Sequence, residues 1–203
     1  MSTNANETKI EKIHAALSVR GVMQCRELIA LGVSREYLRK LTQQGDLERI
    51  ERGLYRLPEG DITELHSFAE IGARIPHGII CLLSALRFHH ITTQSPFEVW
   101  VAIEGKARIP HVPNLPLHIV KFSGAPFTEG IEEHTVEGVP VHIYSLAKTV
   151  ADCFRFRNKI GLDVALEALR ESLREKRITI NELWTYAKIC RVSKVMLPYL
   201  EAI

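Results

Sequence analysis

The chain has 203 residues, 46% of them hydrophobic and 25% charged, with 26 Lys and Arg against 24 Asp and Glu for a formal net charge of +2. That balance excludes a disordered or fibrous chain and leaves length for two modest cores or one large one. The longest apolar run, residues 78–86, falls far short of the roughly 20 residues a membrane helix needs. MSTNANET has neither the basic start nor the apolar run of a leader, so a cytoplasmic protein with a frayed N-terminus and no membrane contact is expected.

Residues 8–20 place Ile10, Ile13 and Leu17 at helical spacing, with Thr8 available as an N-cap and Gly21 as a stop. A short helix is expected over 24–30, ended by Gly32. Ser34 then offers a fresh N-cap for a second helix reaching Gln44, which Gly45 closes. Two short helices joined by Leu-Gly-Val make a helix-turn-helix candidate. At 100° per residue from Arg35, Arg39 falls at about 40°, Gln43 at about 80°, Glu36 at about 100° and Lys40 at about 140°, with Thr42 at about 340°. Tyr37, Leu41 and Leu38 fall opposite, at about 200°, 240° and 300°. LERI, the turn Glu51-Arg52-Gly53 and LYRL then read as a two-stranded hairpin that Pro58 and Gly60 end. Three helices followed by a hairpin form a winged helix-turn-helix over residues 1–60.

Residues 59–67 read as a linker or the start of a second domain, 61–203. Helical patterns follow at 62–75 and 78–90, separated by Pro76. FEVWVAI, LHIVKF and IEEHTVEGVPVHIY read as strands, the last as two strands about a Glu-Gly turn, and the four prolines between residues 96 and 116 exclude a helix there. From Ser145 the chain is helical again, in segments covering 145–159, 162–176, 180–190 and 193–203. The order predicts an α+β domain whose small, mostly antiparallel sheet is packed by helices.

The polar side of the second helix and the hairpin carry the candidate chemistry. Ser34, Arg35, Arg39, Lys40, Thr42 and Gln43 are placed to enter a DNA major groove, and Arg49, Arg52 and Arg56 to lie near phosphates. Arg matches the acceptor pair of guanine and Gln the donor–acceptor edge of adenine, while an exposed arginine also occurs on any solvated helix. Residues 1–60 hold ten basic against eight acidic side chains and the remainder sixteen of each. So weak an excess points to two copies, a homodimer on DNA, on repeated sites.

Other clusters read more plainly. Cys25, Cys81, Cys153 and Cys190 are scattered and fit buried reduced thiols, not a disulfide frame or zinc site. Glu98 and Glu104-Gly105-Lys106 flank a strand as in Mg²⁺-dependent nucleases, yet no upstream Asp completes such a set, and a charged strand end accounts for them. His89-His90, His111 and His118 are expected in capping and surface roles, adjacent helical positions pointing about 100° apart. Neither a metal site, a cofactor nor an enzyme is expected. Lys148 and Asp152, four apart, read as an exposed ion pair supporting a helix. The other reading puts Lys148, Arg155, Arg157 and Lys159 on a second basic surface.

The segments CRELIALGVSREYLRKLTQQGDLERIERGLYRLP, SALRFHHIT, VWVAI and VHIYSLAKTVADCFRFRNKIGLDVALEALRESL together resemble the AbiEi-type antitoxins of bacterial abortive-infection, or type IV toxin–antitoxin, systems of phage defence. The most telling parts are RGLYRLP at Arg52–Pro58 and TVADCFRFR at Thr149–Arg157. The resemblance implies a winged helix-turn-helix that represses its own promoter. It also implies a C-terminal antitoxin domain acting against a nucleotidyltransferase-like toxin, without a stable complex between the two. A winged-helix regulator whose second domain senses a ligand or dimerises, with no toxin partner, is the alternative reading.

Overall fold

The computed structural model describes residues 3–58, 65–92, 96–113 and 115–201. The chain divides into two compact units, Met1–Pro76 with Thr135–Val141, and His77–His134 with His142–Ile203. The expected domain boundary at residues 60 and 61 lies outside the described residues, as does most of the expected linker.

In the first unit, helix α1 spans Thr3–Arg20, so Thr8 lies inside it and is not its cap. Its Ile13 and Leu17 are buried, and Gly21 at positive φ turns the chain out. A three-residue strand, β1 (Val22–Gln24), comes next, where the periodicity predicted a helix from Gln24 onward. Helix α2 covers Cys25–Ala30, and the Gln24 N–H donates to Glu27 Oε2 at 2.7 Å, satisfying one exposed helix-end donor. Helix α3 (Arg35–Gln44) starts and stops where its end residues dictate. Ser34 Oγ accepts from the Tyr37 N–H at 3.2 Å, and Gly45 closes the last turn in the left-handed region.

Strands β2 (Glu48–Glu51) and β3 (Leu54–Arg56) form the wing, with a register irregularity between Arg49 and Glu51. The turn needs Gly53, whose φ of +87° would strain any other residue. The sheet has three antiparallel strands in the order β1-β3-β2, because β1 pairs with β3, the second strand of the wing, from Val22↔Arg56 to Gln24↔Leu54. Ile13, Leu28, Leu38, Leu41, Leu47 and Tyr55 fill the core of this winged helix-turn-helix. Leu38 and Leu41 are 0% and 2% exposed, and burying each stabilises the fold by about 1.5–3 kcal/mol. That burial turns the opposite side of α3 outward.

Helix α4 (His66–Arg74) also belongs to this unit. Its Gly72 leaves room for residues 135–141, since a Cβ there would lie 2.5 Å from the Pro140 carbonyl oxygen. His66 Nδ1 meets Glu137 Oε2 at 2.7 Å beside it.

The second unit is α+β. In chain order it comprises β4 (Ile79–Ile80), α5 (Leu82–Phe88), β5 (Val99–Glu104), β6 (Leu117–Phe122) and α6 (Ala125–Thr128). After them come β7 (Ile131–Val136), β8 (Val139–Tyr144) and five helices: α7 (Leu146–Arg155), α8 (Arg157–Ile160), α9 (Leu162–Arg174), α10 (Ile180–Ile189) and α11 (Ser193–Glu201). Residues 135–141, the outer end of the β7–β8 hairpin, belong with the first unit.

The sheet order is β6-β5-β4-β8-β7. It is mixed and not mostly antiparallel: β4 runs antiparallel to β5, but β4–β8 and β5–β6 are parallel. The proline-dense connection from β5 to β6 is long enough to carry the chain back to its starting end and lay β6 parallel to β5, and β4 and β8, far apart in the chain, are parallel as well. Ile79–Ile80 forms a strand, not the start of the expected helix, because a short apolar run does not distinguish a buried strand from a buried helix. The expected single helix over 145–159 breaks at Phe156 into α7 and α8. Trp100, Phe122, Tyr144, Phe154, Leu169 and Leu183 are among the core residues.

Candidate nucleic-acid interface

The capped ends of α3 and the turn at Gly53 fix two polar edges of the first unit. Arg35, Arg39, Thr42 and Gln43 from α3, with Arg49 and Arg52 from the wing, line one open cleft of about 570 Å³. Cys25, Gly53 and Tyr55 complete its lining, and no carboxylate is among the lining residues. The Cys25 N–H donates to the Gly53 carbonyl at 2.7 Å, tying the start of α2 to the wing turn. Four guanidinium groups therefore face a single concavity between a helix and a hairpin. Such a concavity suits a polyanion with flat acceptor edges.

A second open cleft, of about 500 Å³, flanks α3. It is lined by Ser34, Glu36, Tyr37, Arg39, Lys40 and Gln43. Arg39 and Gln43 line both clefts, so they form the ridge of the helix. Sequence reasoning placed neither Cys25, expected as a buried thiol, nor Tyr55 at this cleft, which both reach from outside α3. It placed Glu36 on the polar side without singling it out and put Tyr37 wholly on the apolar side. Tyr37 is half-buried against the core while lining the second cleft.

Ser34, Thr42 and Arg56 are engaged inside the protein. Ser34 Oγ is the helix cap, and Thr42 Oγ1 donates to the Leu38 carbonyl at 2.9 Å. Arg56 Nε donates to Glu48 Oε2 at 2.6 Å across the wing, where the two residues are register partners, and its Nη1 lies 3.4 Å from His66 Nε2. That hydrogen bond holds the Glu48 carboxyl below its ordinary value. Arg56 therefore positions the wing, and it lines neither cleft.

The other basic set does not form one surface. Lys148 is fully buried and donates to Asp152 Oδ2, with its ammonium 4.0 Å from the Tyr144 ring centroid and 4.9 Å from that of Phe122. Cys190 Sγ donates to the other oxygen, Asp152 Oδ1, at 3.2 Å. Both expectations for Lys148, an exposed pair and a surface cation, are corrected: Leu146 to Phe154 are all buried, so α7 is enclosed on every side. Burial pushes the Asp152 carboxyl up, against the opposing pull of Lys148. Arg155 and Lys159 are exposed, whereas the Arg157 Nη1 donates to the Phe154 carbonyl at 2.9 Å.

His89 is also buried, not at the surface. Its Nε2 donates to the Tyr144 carbonyl at 2.8 Å, and desolvation holds the ring below its ordinary value. His118 stacks on Trp100 with ring centroids 3.7 Å apart, and Glu98 meets the same histidine at 3.2 Å. Glu104 and Lys106 are exposed at the end of β5 and in the turn after it. Among the described residues no group of three His, Cys, Asp or Glu could hold a metal ion, and no helix is long and apolar enough to cross a membrane.

No curated protein matches the chain. A family model described as a transcriptional regulator, AbiEi antitoxin, matches residues 18–58, from the end of α1 to Pro58 just past the wing. The winged helix that carries both clefts is thus similar, over residues 18–58, to the AbiEi antitoxin transcriptional regulators that this family model describes.

Proposed function

We propose that this chain is the DNA-binding antitoxin and autorepressor of a type IV toxin–antitoxin operon, acting in the cytoplasm on its own promoter. The observation that carries the reading is the convergence of Arg35, Arg39, Arg49 and Arg52 on one cleft between α3 and the wing. In this reading α3 lies in the major groove. Arg39 and Gln43 on its ridge meet base edges, and Arg49 and Arg52 hold phosphates of the flanking backbone. Ser34, Thr42 and Arg56 fix the helix and the wing in place, and Lys40 reaches the backbone from the far side of α3.

The phosphate contacts of Lys40, Arg49 and Arg52 give each copy a modest salt-dependent attraction, so two copies on repeated sites bind together. The second unit opposes a nucleotidyltransferase-like toxin encoded beside this chain, without a stable complex. Co-expression with the neighbouring gene tests both halves. Wild-type chain restores growth and silences a reporter driven by the upstream region. Arg39→Ala restores growth but leaves the reporter active. Loss of both activities together, or of neither, refutes the division.

A further inference from the structure

We propose that Glu36 is a specificity-determining residue of the reading helix, accepting a hydrogen bond from the exocyclic amino group of a cytosine in the major groove. The inference deepens the DNA-reading role proposed above and rests on it. Glu36 is exposed and lines the second cleft beside Arg39, Lys40 and Gln43. Among the described residues its carboxylate has no ion pair or hydrogen bond, although Arg39 and Lys40 stand three and four positions on, at pairing distance along a helix.

Position on the helix decides what this carboxylate meets. The outward side of α3 spans about −20° to 140°, and Glu36 at about 100° lies between Gln43 at about 80° and Lys40 at about 140°. The margins of such a face lie along the phosphate backbones and its middle faces the base edges. A carboxylate there only accepts, and only cytosine and adenine offer an amino donor in that groove. Adenine sets an acceptor nitrogen beside its amino group, which repels the second carboxylate oxygen, so cytosine is the base Glu36 takes. Guanine and thymine present acceptors alone and are rejected.

The helix rise of about 1.5 Å per residue puts Glu36 about 4.5 Å before Arg39 and about 10.5 Å before Gln43. With base pairs about 3.4 Å apart, the cytosine lies about one step from the guanine read by Arg39 and about three from the adenine read by Gln43. The same negative charge weakens attraction to any duplex, so Glu36 lowers nonspecific binding while raising discrimination.

Selection of bound duplexes from a random library, with full-length wild type, Glu36→Gln and Glu36→Ala, tests this, alongside affinities for a scrambled duplex at two salt concentrations. Wild type is expected to enrich a cytosine, Glu36→Ala to lose that preference by about tenfold and Glu36→Gln to shift it toward adenine, both binding scrambled duplex more tightly. A role for Glu36 limited to the helix terminus shifts the melting temperature and leaves base preference alone. Retention of the cytosine by both variants, with preferences still dependent on Arg39 and Gln43, overturns the inference and spares the DNA-reading role. Failure of wild type to bind any duplex overturns both.

Discussion

Replacing Lys148 by Met removes one charge from the middle of the second unit and keeps the length of its stem. Lys148 and Asp152 are both 0% exposed, and once the ammonium is gone the carboxylate keeps only the Cys190 thiol, a weak donor. Lost packing is small, because Met fills nearly the same volume against Phe122 and Tyr144. The cost is therefore that of an unpaired buried carboxylate, about 3–5 kcal/mol, which for a chain of this size lowers the melting temperature by about 6–20 °C. Burial already raises the Asp152 carboxyl above its usual range, and Lys148 is the largest opposing influence. In the variant Asp152 holds its proton to higher pH in the folded state than in the unfolded one. A raised folded value means stability present at low pH and lost as pH rises, so the deficit against wild type shrinks as pH falls toward about 4. The double variant Lys148→Met/Asp152→Val removes both charges and is expected to regain most of the loss. Thermal unfolding followed by circular dichroism at several pH values reads all three. A shift under about 2 °C in the single variant, or no recovery in the double one, refutes the account of the pair.

Two other expectations concern single groups. His89 is held neutral by burial, so its contribution to stability is present above about pH 6.5 and declines as pH falls through its lower folded value. His89→Asn, melted from pH 7.5 to 5, should show a shallower acid loss than wild type; equal slopes contradict the assignment. Of the four thiols, Cys81, Cys153 and Cys190 are buried, with that of Cys190 pushed up to about 12 by desolvation, while Cys25 is half-buried and lines the arginine cleft. One maleimide per folded chain should therefore attach, at Cys25, and abolish duplex binding, with bound duplex slowing the reaction; labelling that leaves binding intact removes this cleft from the interface.

The helix α3 and the wing were legible in the sequence because their signals are local. Ser34 and Gly45 mark both ends of α3, the apolar positions Leu38 and Leu41 lie on one side, and Gly53 marks the wing turn. Strand β1 was not legible, since three residues carry no period of their own and pair only through the tertiary contact with β3. Nor was the cleft: Cys25 and Tyr55 line it from β1–α2 and β3, which sequence spacing along α3 does not reach.

The buried pair in α7 was misread because Lys and Asp four apart look the same on a surface and in a core. On the helix Lys148, Thr149, Asp152 and Arg155 share one side opposite Leu146, Ala147, Val150, Ala151, Cys153 and Phe154, the pattern of a half-exposed helix, and only the tertiary packing of the second unit encloses that polar side. The mixed sheet, too, follows from how the strands are connected, with β5–β6 and β4–β8 both parallel, more than from the pattern of any one strand.

The central claim, that the cleft between α3 and the wing binds the promoter of this chain, is tested most directly by one fluorescence-anisotropy series. Full-length wild type, Arg39→Ala and Arg52→Ala are titrated onto the chain's own upstream duplex and a scrambled duplex between about 50 and 200 mM salt. Wild type should prefer the upstream duplex, with a log–log salt slope of about −3 per bound copy. Arg39→Ala should lose about 1–3 kcal/mol of that preference, and Arg52→Ala should weaken both duplexes alike and flatten the slope by about one. Equal affinity of wild type for the two duplexes, unchanged in both variants, contradicts the claim.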